Sequence, residues 1–149
     1  MNTLIRTYFK AQDFFCPDVY RRFGDKAWSF LDPRLLDNLA YIRTGLAKPI
    51  TVNTWSQGGL YSQRGLRCNC CSLVANKTKS GALYVSAHMQ GMAVDFDVKD
   101  MKAEEVRTWI KQHAATLPYP CRLENGTSWV HMDVRVDPLN AERLQTFNG

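Results

Sequence analysis

Two short stretches that alternate apolar and polar residues constrain this chain most: A-V-D-F-D-V at 93–98 and S-W-V-H-M-D-V at 128–134. An extended backbone sends successive side chains to opposite faces, so Ala93, Asp95 and Asp97 share one face and Val94, Phe96 and Val98 the other. In the second stretch Trp129, His131 and Asp133 lie opposite Val130, Met132 and Val134. Each segment therefore has an apolar face to bury, and a carboxylate centred in such a strand is costly unless paired or bound to a metal. If the two strands pair, Asp95 and His131 converge on one sheet surface. Gly91 permits the sharp bend by which His88, on the loop before the first strand, folds back to the same point.

His88, Asp95 and His131 are ligand types that hold a catalytic zinc while leaving a fourth position open for water. A single histidine is more often packed or solvated than a ligand. Two histidines beside a carboxylate that burial would otherwise penalise make a metal site the stronger reading.

The pattern S-x-H-x-x-G-x-A-x-D at 86–95, followed by W-x-H-x-D at 129–133, resembles the zinc D-alanyl-D-alanine peptidases. That family includes bacterial D,D-carboxypeptidases, vancomycin-resistance D,D-dipeptidases and phage L-alanyl-D-glutamate endolysins, and it shares its fold with the hedgehog signalling domain. The resemblance covers roughly residues 32 to 137. It implies an α+β fold, with an antiparallel sheet carrying a zinc site and helices flanking it. It also implies His88, Asp95 and His131 as zinc ligands, and hydrolysis of a D-amino-acid-containing peptide bond in bacterial peptidoglycan. Carboxypeptidase and murein endopeptidase activity both stay open, as does the scissile bond.

The family places an arginine upstream of the first ligand, in a segment like G-Y-R-S-x-x-x-N, where it stabilises charge on the substrate carbonyl. Here the counterpart is Y-S-Q-R-G-L-R-C-N, in which Arg67 matches best and Arg64 second. A guanidinium stays charged and presents several donors, which suits that task. Ser86 is implied as a substrate-binding or supporting hydrogen-bonding group. The chain departs from the family where many members carry an acid three residues before the last histidine, because Ser128 stands there. The candidates for general base are then Glu124 and Asp133. With them the resemblance implies a hydrolysis in which zinc activates water, a carboxylate takes its proton, and Arg67 helps polarise the carbonyl. Without a competent base, the alternative is an inactive zinc-stabilised domain that binds cell wall or protein.

Asn125-Gly126 is a two-residue type I′ hairpin signal, which makes 119–124 and 127–135 antiparallel partners and sets Glu124 opposite Thr127. Glu124 would then lie about four residues from His131, roughly 13 Å away and too far for direct proton transfer. A longer, bulged turn would bring it in. Asp133 is nearer, at roughly 7 Å, but a carboxylate so placed can equally orient a ligand histidine.

The chain has 149 residues, of which 45% are apolar, enough for one domain with its own core and, as expected here, a monomer. No apolar run approaches the ~18 residues of a membrane helix, so no membrane insertion is expected. The start M-N-T-L-I-R lacks the pattern of a secretory leader. A cytoplasmic product is therefore expected, reaching the wall through a holin-like pore if phage or prophage encoded. Five cysteines, with C-N-C-C clustered at 68–71, fit free thiols in a reducing compartment better than a disulfide framework. That loop alone offers a second metal three thiolates and no evident fourth ligand. The net charge of +5 gathers around Arg64, Arg67, Lys77 and Lys79, and around Arg21, Arg22 and Lys26. No nucleic-acid motif accompanies it, so a solvated basic face is expected and nucleic acid is not.

Asp32-Pro33 opens a helix whose Leu35, Leu36, Leu39, Ile42 and Leu46 recur at helical spacing, ending near Ala47 and Pro49. P-I-T-V-N-T-W reads as a strand leading into a long loop at 56–82. A second helix is predicted from about Lys102 to Ala115, capped by Asp100, with Val106, Trp109 and Ile110 inward and His113 structural. The aromatic first 30 residues offer either a wall-recognition patch or packing against the core, and packing is the commoner fate of such side chains.

Overall fold

The structure is a computed structural model that describes residues 4–149; residues 1–3, part of the leader and N-terminal readings, lie outside it. Asp32 caps helix α3 (Pro33–Leu46), its carboxylate accepting the Arg34 N–H at 2.9 Å. Pro33 sits in the first turn, and Ala47 closes the helix in the left-handed conformation (φ 51°). Leu35, Leu36, Leu39 and Ile42 are buried, as their spacing requires. Two shorter helices precede it, α1 (Leu4–Tyr8) and α2 (Pro17–Phe23), followed in the chain by α4 (Ser72–Lys79) and α5 (Ala103–Gln112).

Five strands make one sheet: β1 (Ile50–Thr51), β2 (Ala93–Val98), β3 (Cys121–Asn125), β4 (Val130–Asp133) and β5 (Leu144–Asn148). Their order is β1-β2-β4-β3-β5. The first three junctions are antiparallel, but β5 runs parallel to β3, so the fold is α+β with a mixed sheet rather than an antiparallel one. The segment 134–143 carries the chain back past β3, and nothing in its composition announces that crossover. One sheet face, with Val94, Phe96, Val98, Leu123, Val130 and Met132, packs into the core, with α5 against β2 and β4.

Four expectations are corrected. The strand expected from Pro49 shrinks to two residues because Asn53 leaves the ladder, its N–H going to Asp13 O and its side chain accepting the Arg64 N–H. The loop at 56–82 contains α4, whose single buried apolar residue, Val74, gives little periodicity to read. Helix α5 is capped at Lys102, whose N–H donates to Glu105 Oε2 at 2.6 Å, while Asp100 adopts a left-handed turn (φ 56°) before it. The helix also ends at Gln112, short of Ala115. Val106 and Ile110 face inward as expected, and His113 is structural, stacked on Trp109 with ring centroids 4.0 Å apart.

The N-terminal aromatic residues resolve largely into core. Phe9, Phe14, Phe15 and Trp28 are buried, with Phe14 centred 5.2 Å from Phe9 and 5.4 Å from Trp28. Burial of each side chain is worth about 1.5–3 kcal/mol. Phe23 and Phe30 stay partly exposed and pack edge-on to each other.

Gly91 takes φ 69°, and a Cβ there would overlap the Phe30 carbonyl, while its own carbonyl accepts the Asp32 N–H at 2.9 Å. The bend before β2 is thus pinned to the start of α3. Gly91→Ala is expected to cost more than about 1 kcal/mol, read as a lowered urea midpoint, whereas an unchanged midpoint would show that the bend is not constrained.

Candidate metal centre

Residues 93–96 of β2 pair with 130–133 of β4 so that Asp95 lies directly opposite His131. His131 Nδ1 is 2.7 Å from Asp95 Oδ1. His88, on the turn before Gly91, brings Nε2 to 3.3 Å from both His131 Nδ1 and Asp95 Oδ2. All three residues are buried. The three expected ligands therefore meet at one point.

Each ring is held by its outer nitrogen. His88 Nδ1 donates to Gly65 O at 2.8 Å, which leaves the Nε2 lone pair facing inward. His131 Nε2 lies 3.2 Å from Asp133 Oδ2, so that it can donate there and turn Nδ1 inward. Metal-binding histidines are oriented in this way by carbonyls and carboxylates. The edge of a zinc tetrahedron with ~2.05 Å bonds is ~3.3 Å, which the two spacings from His88 match, while the 2.7 Å contact of His131 with Asp95 is a hydrogen bond that a bound metal would replace.

Asp133 is saturated. Arg122 donates to both its oxygens at 2.9 Å, the Arg135 N–H to Oδ1 at 2.9 Å, and His131 approaches Oδ2. It is fully buried, which leaves it no lone pair directed at solvent. Its geometry is that of a group orienting His131.

Glu124 is placed otherwise. The β3–β4 ladder pairs Arg122 with Asp133 and Leu123 with Met132; Glu124 follows one residue past the last pair, level with His131, and lines the same cleft. Adjacent strands lie ~4.8 Å apart, so Glu124 is far nearer His131 than the ~13 Å expected from a two-residue hairpin. The hairpin expectation is therefore corrected, and the longer turn is the one found. Gly126 has positive φ but Asn125 does not, so the type I′ turn is absent. The cause is Arg107 on α5, buried and donating to Thr127 O and Trp129 O at 2.9 Å, which holds 127–129 out of the ladder. Among the described residues Glu124 makes no side-chain hydrogen bond or ion pair.

The triad lies in an open cleft of about 530 Å³ walled by Arg67, Ser86, Glu124, Trp129, Arg135 and Phe147. Arg67 donates from Nε to Gln63 O at 2.7 Å and from one terminal nitrogen to Asp95 Oδ2 at 2.9 Å. Arg64 instead forms an ion pair with Asp97, stacks 3.6 Å from the Tyr61 ring centroid and lines a neighbouring cleft. Of the two arginines, Arg67 is the one at the triad. Ser86 lines the cleft, and its Oγ also accepts the Met89 N–H at 3.4 Å, tying down the turn that carries His88. Of the basic residues of the central loop, Arg64 and Arg67 both have carboxylate partners.

Arg107, Arg122, Arg135 and Phe147 escaped the sequence reading. Arg107 sits between Val106 and Ile110 on the inward stripe of α5, where a charged residue signals a buried hydrogen-bonding task. Arg122 shares Glu124's face by the period of two. No comparable signal marks Arg135 or Phe147.

Burial works to raise the Asp95 carboxyl, but the hydrogen bonds with His131 and His88 outweigh it and hold the group well below the usual carboxylate range. Burial likewise works to lower His131, and its bonds with Asp133 and Asp95 prevail, raising it to about 9. Metal-free His131 is therefore protonated at pH 7, and a metal must displace that proton. Comparison with protein-family models, curated proteins and solved structures finds no match for the chain.

Zinc uptake at pH 7 is expected to release about one proton, and affinity to rise with pH up to about 9. Calorimetric titration in buffers of different ionisation enthalpy measures this; an affinity flat from pH 6 to 8 would contradict it.

Proposed function

We propose that this protein is a zinc-dependent peptidase that hydrolyses a D-amino-acid-containing peptide bond of bacterial peptidoglycan. The observation that carries the reading is the convergence of His88, Asp95 and His131 at the base of a cleft, with an unengaged carboxylate, Glu124, opposite His131. The substrate class rests on the resemblance of S-x-H-x-x-G-x-A-x-D and W-x-H-x-D to the D-alanyl-D-alanine peptidases.

His88, Asp95 and His131 would hold the zinc, which when bound supplies Lewis-acid polarisation of a carbonyl and acidifies water. Glu124 takes a proton from the attacking water and delivers it to the leaving amine. Arg67 has guanidinium donors beyond those given to Gln63 and Asp95, and these stabilise the negative charge that grows on the carbonyl oxygen. Asp133 keeps His131 in the ligating tautomer, itself held by Arg122. Trp129 and Phe147 wall the cleft.

Glu124 and Asp133 separate cleanly by experiment. Glu124→Gln is expected to keep zinc and lose about 10²–10⁴-fold in release of wall peptides. Asp133→Asn is expected to weaken zinc about 10–100-fold while activity returns at saturating metal. Undiminished hydrolysis in Glu124→Gln would remove Glu124 as the base, and absence of hydrolysis in the zinc-loaded wild type would favour the inactive binding domain.

A further inference from the structure

We infer that Cys16, Cys68 and Cys71 form a second zinc site, structural in role, that fastens the loop bearing Arg67 to the N-terminal part of the fold. Cys16 lies 52 positions before Cys68, yet their sulfurs are 3.5 Å apart. Cys68 and Cys71 sulfurs are 3.7 Å apart, and all three ligand atoms lie within 4.8 Å of one another. A tetrahedral zinc with Zn–S bonds of ~2.3 Å has S···S edges of ~3.75 Å, which these spacings match. A disulfide needs ~2.05 Å and uses only two of the three sulfurs.

The backbone brings the sulfurs together locally as well as across the fold. Cys68 and Cys71 flank a C-x-x-C turn closed by the Cys71 N–H on Cys68 O at 3.1 Å. Cys16 and Cys71 are buried and line a cleft of about 320 Å³, which leaves a fourth position to solvent. Soft sulfur donors in a tetrahedral set select zinc over hard divalent ions.

The site's task follows from its neighbours. Phe15, just before Cys16, bridges Leu66, just before Arg67, and the Leu66 N–H donates to Phe14 O at 2.9 Å. A metal at the sulfurs would close this contact from its far side and fix the chain on which Arg67 reaches Asp95. The Cys site shares no ligand with the His88, Asp95 and His131 site, so neither assignment depends on the other.

The test is cobalt(II) titration of the reduced, metal-stripped protein, because only a thiolate site gives sulfur-to-cobalt charge-transfer absorption in the near ultraviolet. That absorption is expected to saturate at about one equivalent per chain in the wild type, to persist in a His88→Ala, His131→Ala variant and to vanish in Cys68→Ser. Persistence of the band in Cys68→Ser would overturn the assignment. If Cys68→Ser fails to fold, the wild type decides alone: no such absorption while all five thiols titrate as reduced overturns it. Wall hydrolysis plays no part in this readout, so its failure and that of the peptidase reading are distinguishable.

Discussion

The pairing of Asp95 with His131 across the β2–β4 ladder is the constraint on which the candidate site depends. A buried carboxylate is tolerable only with compensating partners, and here His131, His88 and Arg67 all approach it. The pair is set by register rather than by flexible side chains: slipping β4 by one residue would carry His131 into the core and expose Met132. The apolar faces of the two strands, Val94 and Phe96 on one and Val130 and Met132 on the other, therefore specify the site as firmly as its own residues do.

Around this pair the protein spends four arginines. Arg122 holds Asp133, which orients His131; Arg107 holds the turn before β4 open, which brings Glu124 opposite His131; Arg67 meets Asp95; Arg64 meets Asp97. Each planar guanidinium adds charge-assisted hydrogen bonds to carbonyls or a carboxylate at or beside the site. The two halves of the centre are thus fixed independently, β2 and β4 by the ladder and the Glu124 wall by α5.

Much of this was legible in the chain because it follows from local period. The alternation at 93–98 and 128–134 placed Asp95 and His131 on one face, Gly91 announced the bend that returns His88, and Asp32-Pro33 announced α3. What the sequence did not disclose depends on contacts between distant segments. Asn125-Gly126 reads locally as a tight hairpin, and only Arg107, from a helix a score of residues earlier, overrides it. The parallel β5 and the meeting of Cys16 with Cys68 are likewise non-local, since neither leaves a spacing to read. Helix α4 was missed for a different reason: with Val74 alone buried, it lacks an apolar stripe.

The most direct measurement is the zinc content of the purified protein beside that of a His88→Ala, His131→Ala variant, by elemental analysis with both chains shown to be folded by circular dichroism. If the triad holds zinc, the variant carries one equivalent less than the wild type, whatever the cysteines retain. Equal zinc content in the two would contradict the metal centre and with it the peptidase built on it.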